Sequence, residues 1–141
     1  MRARLQLDSY WVAELHVKAR PETVEQRPLF EERLPRVSCE VLQAQENEQV
    51  YRVDLRVVAG PKAAAGALPY EYRLKMTGIF SFPPDTPTEV QQYLINVSGP
   101  AMLYGLARGV IAQATALGPR GAYLLPSLNF VHMMESKGAE D

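Results

Sequence analysis

The side chains with which a search for catalysis or metal binding begins are two histidines, one cysteine and a few clustered carboxylates. His16 falls on the polar side of an alternating run and His132 lies near the C-terminus, and neither has a His or Cys partner at metal-ligand spacing. Solvated imidazoles account for both. Cys39 alternates with Ser38 and Glu40 into an apolar row, which places it in a core rather than in a nucleophilic site. The "GPRG" at 118–121 is a turn without the preceding strand and following helix of a phosphate loop. Glu31, Glu32, Glu46 and Glu48 stand in polar connections. Arg52, Arg56, Arg73 and Lys75 share a sheet face with acids and have no aromatic ladder beside them, so no nucleic-acid stacking platform is expected. The residues offer no catalytic site, no metal site and no cofactor. The expectation is a protein that is not an enzyme.

The elements that would carry any other function are legible in the periodicity. Leu5, Leu7, Trp11, Ala13, Leu15 and Val17 alternate with Arg4, Gln6, Asp8, Glu14, His16 and Lys18, which predicts a long strand with one buried face. A crossover rich in proline and charge, "RPETVEQRPLFEERLPR", follows. Three further strands alternate around Val37–Val41, Tyr51–Val57 and Tyr70–Met76, joined by "QENEQ" and "GPKAAAGALP" in the manner of antiparallel hairpins. "TEVQQYLINV" opens with Thr88 and Gln91 at capping-box spacing and predicts a short helix. The predicted class is α+β: a four-stranded antiparallel sheet, solvated on one face, with a long and a short helix on the other. At 141 residues, 47% apolar and 22% charged, this is one domain over 1–141, with 136–141 as a disordered tail. The formal net charge of −1 points to no nucleic-acid or membrane-surface partner. No apolar run reaches the roughly 18 residues of a membrane span, and the first residues lack a signal-peptide pattern. A cytoplasmic location is expected.

Two features ask for a functional explanation. The helix predicted from Ser98 and Pro100 to Gly118-Pro119 turns Leu103, Leu106, Ala107, Val110, Ile111, Ala114 and Leu117 to a core. A second stripe holds only small residues: Ala101, Gly105, Gly109, Ala112 and Ala116. Each interior glycine costs about 1 kcal/mol against alanine, so a close-packed second helix is the expected return, from another copy of the chain rather than, as the alternative, burial of the helix within one subunit. The second feature is apolar surplus in segments poor in regular structure. Leu29, Phe30 and Leu34 lie in the crossover, and Tyr123, Leu124, Leu125, Leu128, Phe130, Met133 and Met134 follow the long helix. Burial explains any one of them. The two clusters together also fit a binding groove, for which pliable methionine-bearing surfaces are suited.

The order of elements resembles the SecB family of export chaperones over about residues 5–134. The likeness rests on "GIFSF" (78–82), the "GPAMLYGLARGVIAQAT" helix and "LLPSLNF" (124–130), and more loosely on "YRVDLRVVA" and the Phe30–Pro35 crossover. The resemblance implies an ATP-independent holdase, a homotetramer built as a dimer of dimers with long helices packed between dimers, and apolar grooves for unfolded or precursor proteins. On that reading Phe30, Leu34, Tyr123, Leu125, Phe130 and Met134 bind client, and Ala101, Gly105, Gly109, Ala112 and Ala116 form the oligomer interface. The family docks the translocase ATPase SecA through acids on the open sheet face. Here Glu14 keeps one such acid, while Lys18 and Arg73 stand where the family has carboxylates, and the chain is almost neutral rather than acidic. Leu34 replaces the crossover tryptophan. A chaperone dedicated to one client, such as an antitoxin, is the alternative. A small-ligand carrier or enzyme would need a convergent polar group in an apolar cavity, and the sequence places none.

Overall fold

Tyr51, Val53, Leu55 and Val57 turn to one side of a strand and Tyr70, Tyr72, Leu74 and Met76 to one side of another, and all eight are buried. Those two strands are the middle of the sheet. The computed structural model describes residues 3–19, 35–59, 70–119 and 121–132. β1 (Gln6–Ala19), β2 (Arg36–Gln43), β3 (Val50–Ala59) and β4 (Tyr70–Ser81) form one antiparallel sheet in the order β1-β4-β3-β2. The predicted α+β class is what the structure shows. "QENEQ" closes the β2–β3 hairpin, with the Ala44 N–H donating to the Val50 carbonyl at 2.9 Å. The connections over 20–34 and 60–69, together with residues 133–141, lie outside the described residues.

β1 departs from strict alternation. Leu7 faces Phe80 and Ser9 faces Ile79, so Asp8 is an extra residue; Val12 faces Met76 and Glu14 faces Lys75, so Ala13 is another. Each bulge inverts the side-chain parity. Between them Tyr10 and Val12 point to the helix side, opposite Gly78 and Met76, and Trp11 turns to the open side opposite Thr77. Leu7, Leu15 and Val17 keep their predicted face, whereas Trp11 and Ala13 do not. That face is also less covered than expected: Tyr10, Val12 and Leu15 are exposed, because α2 lies over β3 and β4 and only grazes β1.

α1 (Thr88–Tyr93), one π turn (Leu94–Ser98) and α2 (Gly99–Thr115) make a continuous helical rod. Two expected caps are absent. Pro87, not Thr88, occupies the N-cap of α1, and Ser98 already has helical angles with no side-chain cap bond. Gln91 is buried and does different work: its Oε1 accepts the Tyr51 hydroxyl at 3.0 Å and its Nε2 donates to the Thr86 carbonyl at 3.0 Å, pinning α1 to β3. Pro100 explains the π turn. It has no N–H for the helical ladder and its ring crowds the carbonyl four residues back. The widened turn, with the Gly99 N–H reaching the Leu94 carbonyl five residues back, relieves that clash. α2 buries Leu103, Tyr104, Ala107, Ile111 and Thr115. Ala114 and Leu117, expected in the core, are exposed: the inward face of the last turn is Ile111 and Thr115, and the helix ends at Thr115 before Leu117. Gly78 sits under the crossing point, where a Cβ would stand 2.9 Å from Leu103 Cδ2.

Candidate functional site

Three surfaces remain after the core is assigned. The first is the outer side of α2. Ala101, Gly105, Gly109 and Ala116 are exposed and Ala112 is half-buried. Among the described residues, a Cβ added at Gly105 or Gly109 would meet no atom within 4 Å. The small stripe thus lies opposite Leu103, Ala107 and Ile111, and no packing among the described residues uses these glycines.

The second is the segment after α2, which the structure holds as an extended strap across the helix and sheet. Gly121 turns into it at φ 73°, a conformation that favours glycine. The Tyr123 N–H donates to Thr115 Oγ1 at 2.7 Å, and that hydroxyl donates to the Ile111 carbonyl at 2.7 Å. Tyr70 Oη donates to the Gly121 carbonyl at 2.8 Å, Arg108 Nε to that of Leu125 at 3.0 Å, and Tyr104 Oη to that of Pro126. Tyr123, Leu125 and Phe130 all point inward, Leu125 to 1% exposure, while Leu124 points out at 59%. Phe130 rests on Tyr104 with centroids 5.5 Å apart. Three of the six residues expected to bind client are therefore core side chains of the subunit, covered by the strap's own packing. Phe30, Leu34 and Met134 lie outside the described residues.

Beneath the strap is a tyrosine cluster that sequence reading did not single out. Tyr72 and Tyr123 stand 5.9 Å apart between centroids, and Tyr70 and Tyr123 6.4 Å. Burial pushes the Tyr72 phenol far above its usual range, with the Tyr123 and Tyr104 phenols adding to it. Burial likewise pushes Tyr104 up to about 12, against the pull of Arg108. Tyr72 Oη has no hydrogen-bond partner among the described residues.

The third surface is the open face of the sheet. Glu14, Lys18 and Arg73 meet there as expected: Arg73 Nε lies 3.8 Å from Glu14 Oε1, and Lys18 faces Glu71 across the strand pair. Burial pushes the Asp54 carboxyl up, but the Thr77 hydroxyl at 2.7 Å and the Arg52 guanidinium at 3.2 Å outweigh it, with Lys75 helping, and hold it below the usual range. His16 and His132 are exposed, and Cys39 is half-buried opposite Leu55. Missed by strict alternation were Tyr10 and Val12. The run Tyr10-Trp11-Val12-Ala13 was the signal, since four successive apolar residues cannot all obey a period of two.

An antiparallel sheet with one solvated face, backed by a short and a long helix and an extended strap, defines the chain as an α+β protein. A sequence profile described as preprotein translocase subunit SecB matches residues 4–141. The chain belongs to the SecB family. A Streptococcus agalactiae protein of unknown function shares the fold at a TM-score of 0.51 and 15% identity, covering 88% of this chain and 97% of that one. A Mycobacterium tuberculosis SecB-like chaperone, solved with a peptide from an antitoxin, has a TM-score of 0.48 and 14% identity, covering 89% and 91%. No individually curated protein matches the chain. Among the described residues no helix is long and apolar enough to cross a membrane.

Proposed function

We propose that the chain is an ATP-independent holdase that keeps unfolded or precursor polypeptides from aggregating, working in the cytoplasm without a catalytic step or cofactor. The observation that carries the reading is the SecB profile running from residue 4 to residue 141. Assembly as a homotetramer, a dimer of dimers, is supported by two uncovered surfaces: the small stripe on α2, and the long edge strand β1 with Tyr10, Trp11, Val12 and Leu15 exposed. β1 carries edge-protecting charges and two bulges, so the support from this edge rests on the exposed side chains of Tyr10, Trp11, Val12 and Leu15. The client surface is assigned to Phe30, Leu34, Tyr123, Leu125, Phe130 and Met134, with strap displacement as the condition for the three buried ones.

Coupling to SecA is the weaker half of the family role here. Lys18 and Arg73 present cations where a basic SecA tail would dock, and like charges reject a partner. That favours a second reading, a chaperone dedicated to a single client such as an antitoxin. The deciding experiment follows aggregation of several unrelated, chemically unfolded proteins at rising chaperone ratios. Suppression across clients supports the general holdase, suppression of one supports the dedicated form, and suppression of none overturns both.

A further inference from the structure

Charges on the open face of the sheet are sorted into rows. Register sets Ser38, Arg56, Lys75 and Glu14 side by side across the four strands, and Arg36, Val58, Arg73 and His16 in the next row. Arg36, Arg56 and Arg73 are exposed and Lys75 is half-buried. With strands about 4.8 Å apart and rows about 7 Å apart, four cations occupy a patch of roughly 10 by 7 Å. Glu14 lies beside Arg73, with Oε1 3.8 Å from its Nε. Asp54, in the row on the other side, is committed to Arg52 and Thr77.

Arg56 directly across from Lys75 is a like-charge cross-strand pair, an arrangement that costs stability when nothing lies between. An anion supplied from outside reverses the sign of that contact. We propose that this face docks an acidic peptide segment of a partner protein, an extended aspartate- or glutamate-bearing run lying across β2, β3 and β4. Its carboxylates would sit in the forks of Arg36, Arg56 and Arg73 and beside Lys75, since the guanidinium fork matches a carboxylate in two-point geometry. Peptide is favoured over nucleic acid by the borders of the patch. Glu40 and Asp54 close one side and Glu14 the β1 side, so two or three carboxylates fit while a longer row of phosphates would run onto acids. The formal net charge of −1 also supplies no long-range field for a polyanion. This docking face is independent of the holdase reading.

The test uses the full chain and three labelled probes: octaglutamate, octaglutamine and single-stranded octathymidylate. Octaglutamate should bind, at least about tenfold more tightly than octaglutamine, with affinity falling as salt is added. The double variant Arg56→Gln/Lys75→Gln should lose about tenfold of that affinity. Its far-ultraviolet circular dichroism and cooperative melting should be kept, because the loss of the repulsive pair offsets the loss of the Lys75 attraction to Asp54, so lost binding is not lost folding. Absence of octaglutamate binding, equal binding of the two peptides, or unchanged affinity in the double variant would overturn the proposal. Tighter binding of octathymidylate would overturn it in favour of a nucleic acid.

Discussion

Gly105 and Gly109 make the assembly proposal unusually separable from folding. Among the described residues neither glycine has an atom within 4 Å of the space a Cβ would enter. Gly→Ala at each site should therefore raise helix stability by about 0.8–1.0 kcal/mol, and Gly→Leu by nearly as much, since leucine ranks close behind alanine. For a chain of 141 residues, the pair of changes corresponds to a melting shift of roughly 5–8 °C upward. In an assembly whose helices meet along the small stripe, the same leucines would force two backbones apart and break the contact. The Gly105→Leu/Gly109→Leu variant should thus be a smaller particle by native mass measurement, yet keep its far-ultraviolet circular dichroism. Its melting temperature should lose the dependence on protein concentration that linked assembly gives the wild type. A wild-type monomer, or a double variant that still assembles as the wild type does, would refute the reasoning. A variant that unfolds outright would show that α2 has a neighbour on this side within its own subunit.

Further expectations concern the strap, the tyrosine cluster and acid. Leu125→Ser, at 1% exposure, should cost at least about 2–3 kcal/mol in a urea titration, whereas Leu124→Ser at 59% should stay within about 0.5 kcal/mol; equal costs would mean that the strap is not packed inward. Tyr72→Phe removes a buried hydroxyl that makes no hydrogen bond of ordinary geometry among the described residues, beside the Tyr123 phenol, and should leave stability unchanged or raise it by about 1 kcal/mol, while Tyr104→Phe, losing its bond to Pro126, should cost about 1 kcal/mol; the opposite order would refute the assignment. Asp54 has its pKa lowered in the folded state, so its contribution is present above the unfolded carboxylate pKa and is lost as pH falls through the lower folded one. Asp54→Asn should accordingly flatten the acid limb of the stability curve. An unchanged limb would place the acid sensitivity elsewhere.

Residue periodicity made the central sheet legible because the inward faces of β3 and β4 are buried beneath the helices and the strap. There every inward residue from Tyr51 to Val57 and Tyr70 to Met76 is apolar, and the pattern has one solution. β1 was legible as a strand but not in its facing. Two bulges each invert parity, and two inversions restore the original phase by Leu15, so both ends of the strand obey the expected alternation while Trp11 does not. The helix stripes were read from spacing, and the exposed one was found because small residues leave no other use for that face. The cap positions failed for a physical reason. Capping rules assume that a helix begins from non-helical backbone, and Ser98 is preceded by a π turn that Pro100 imposes.

The strap shows what composition alone does not distinguish. A segment with proline, glycine and exposed-looking apolar residues reads as an adaptable surface when its hydrogen bonds are unseen. Its backbone is in fact tied at Gly121, Tyr123, Leu125 and Pro126 by Tyr70, Thr115, Arg108 and Tyr104. Those four partners come from β4 and from α2, which the strap folds back along, so no local pattern announces them. Alternation then decides the rest: with Tyr123 and Leu125 inward, Leu124 must face out. The same bonds bear on chaperone action. If clients use the inward residues, opening must break these bonds and bare the tyrosine cluster, and Arg108→Ala and Tyr104→Phe should both raise client affinity by making opening easier. If clients use the outer face of the strap, the two substitutions should leave affinity unchanged and lower stability alone.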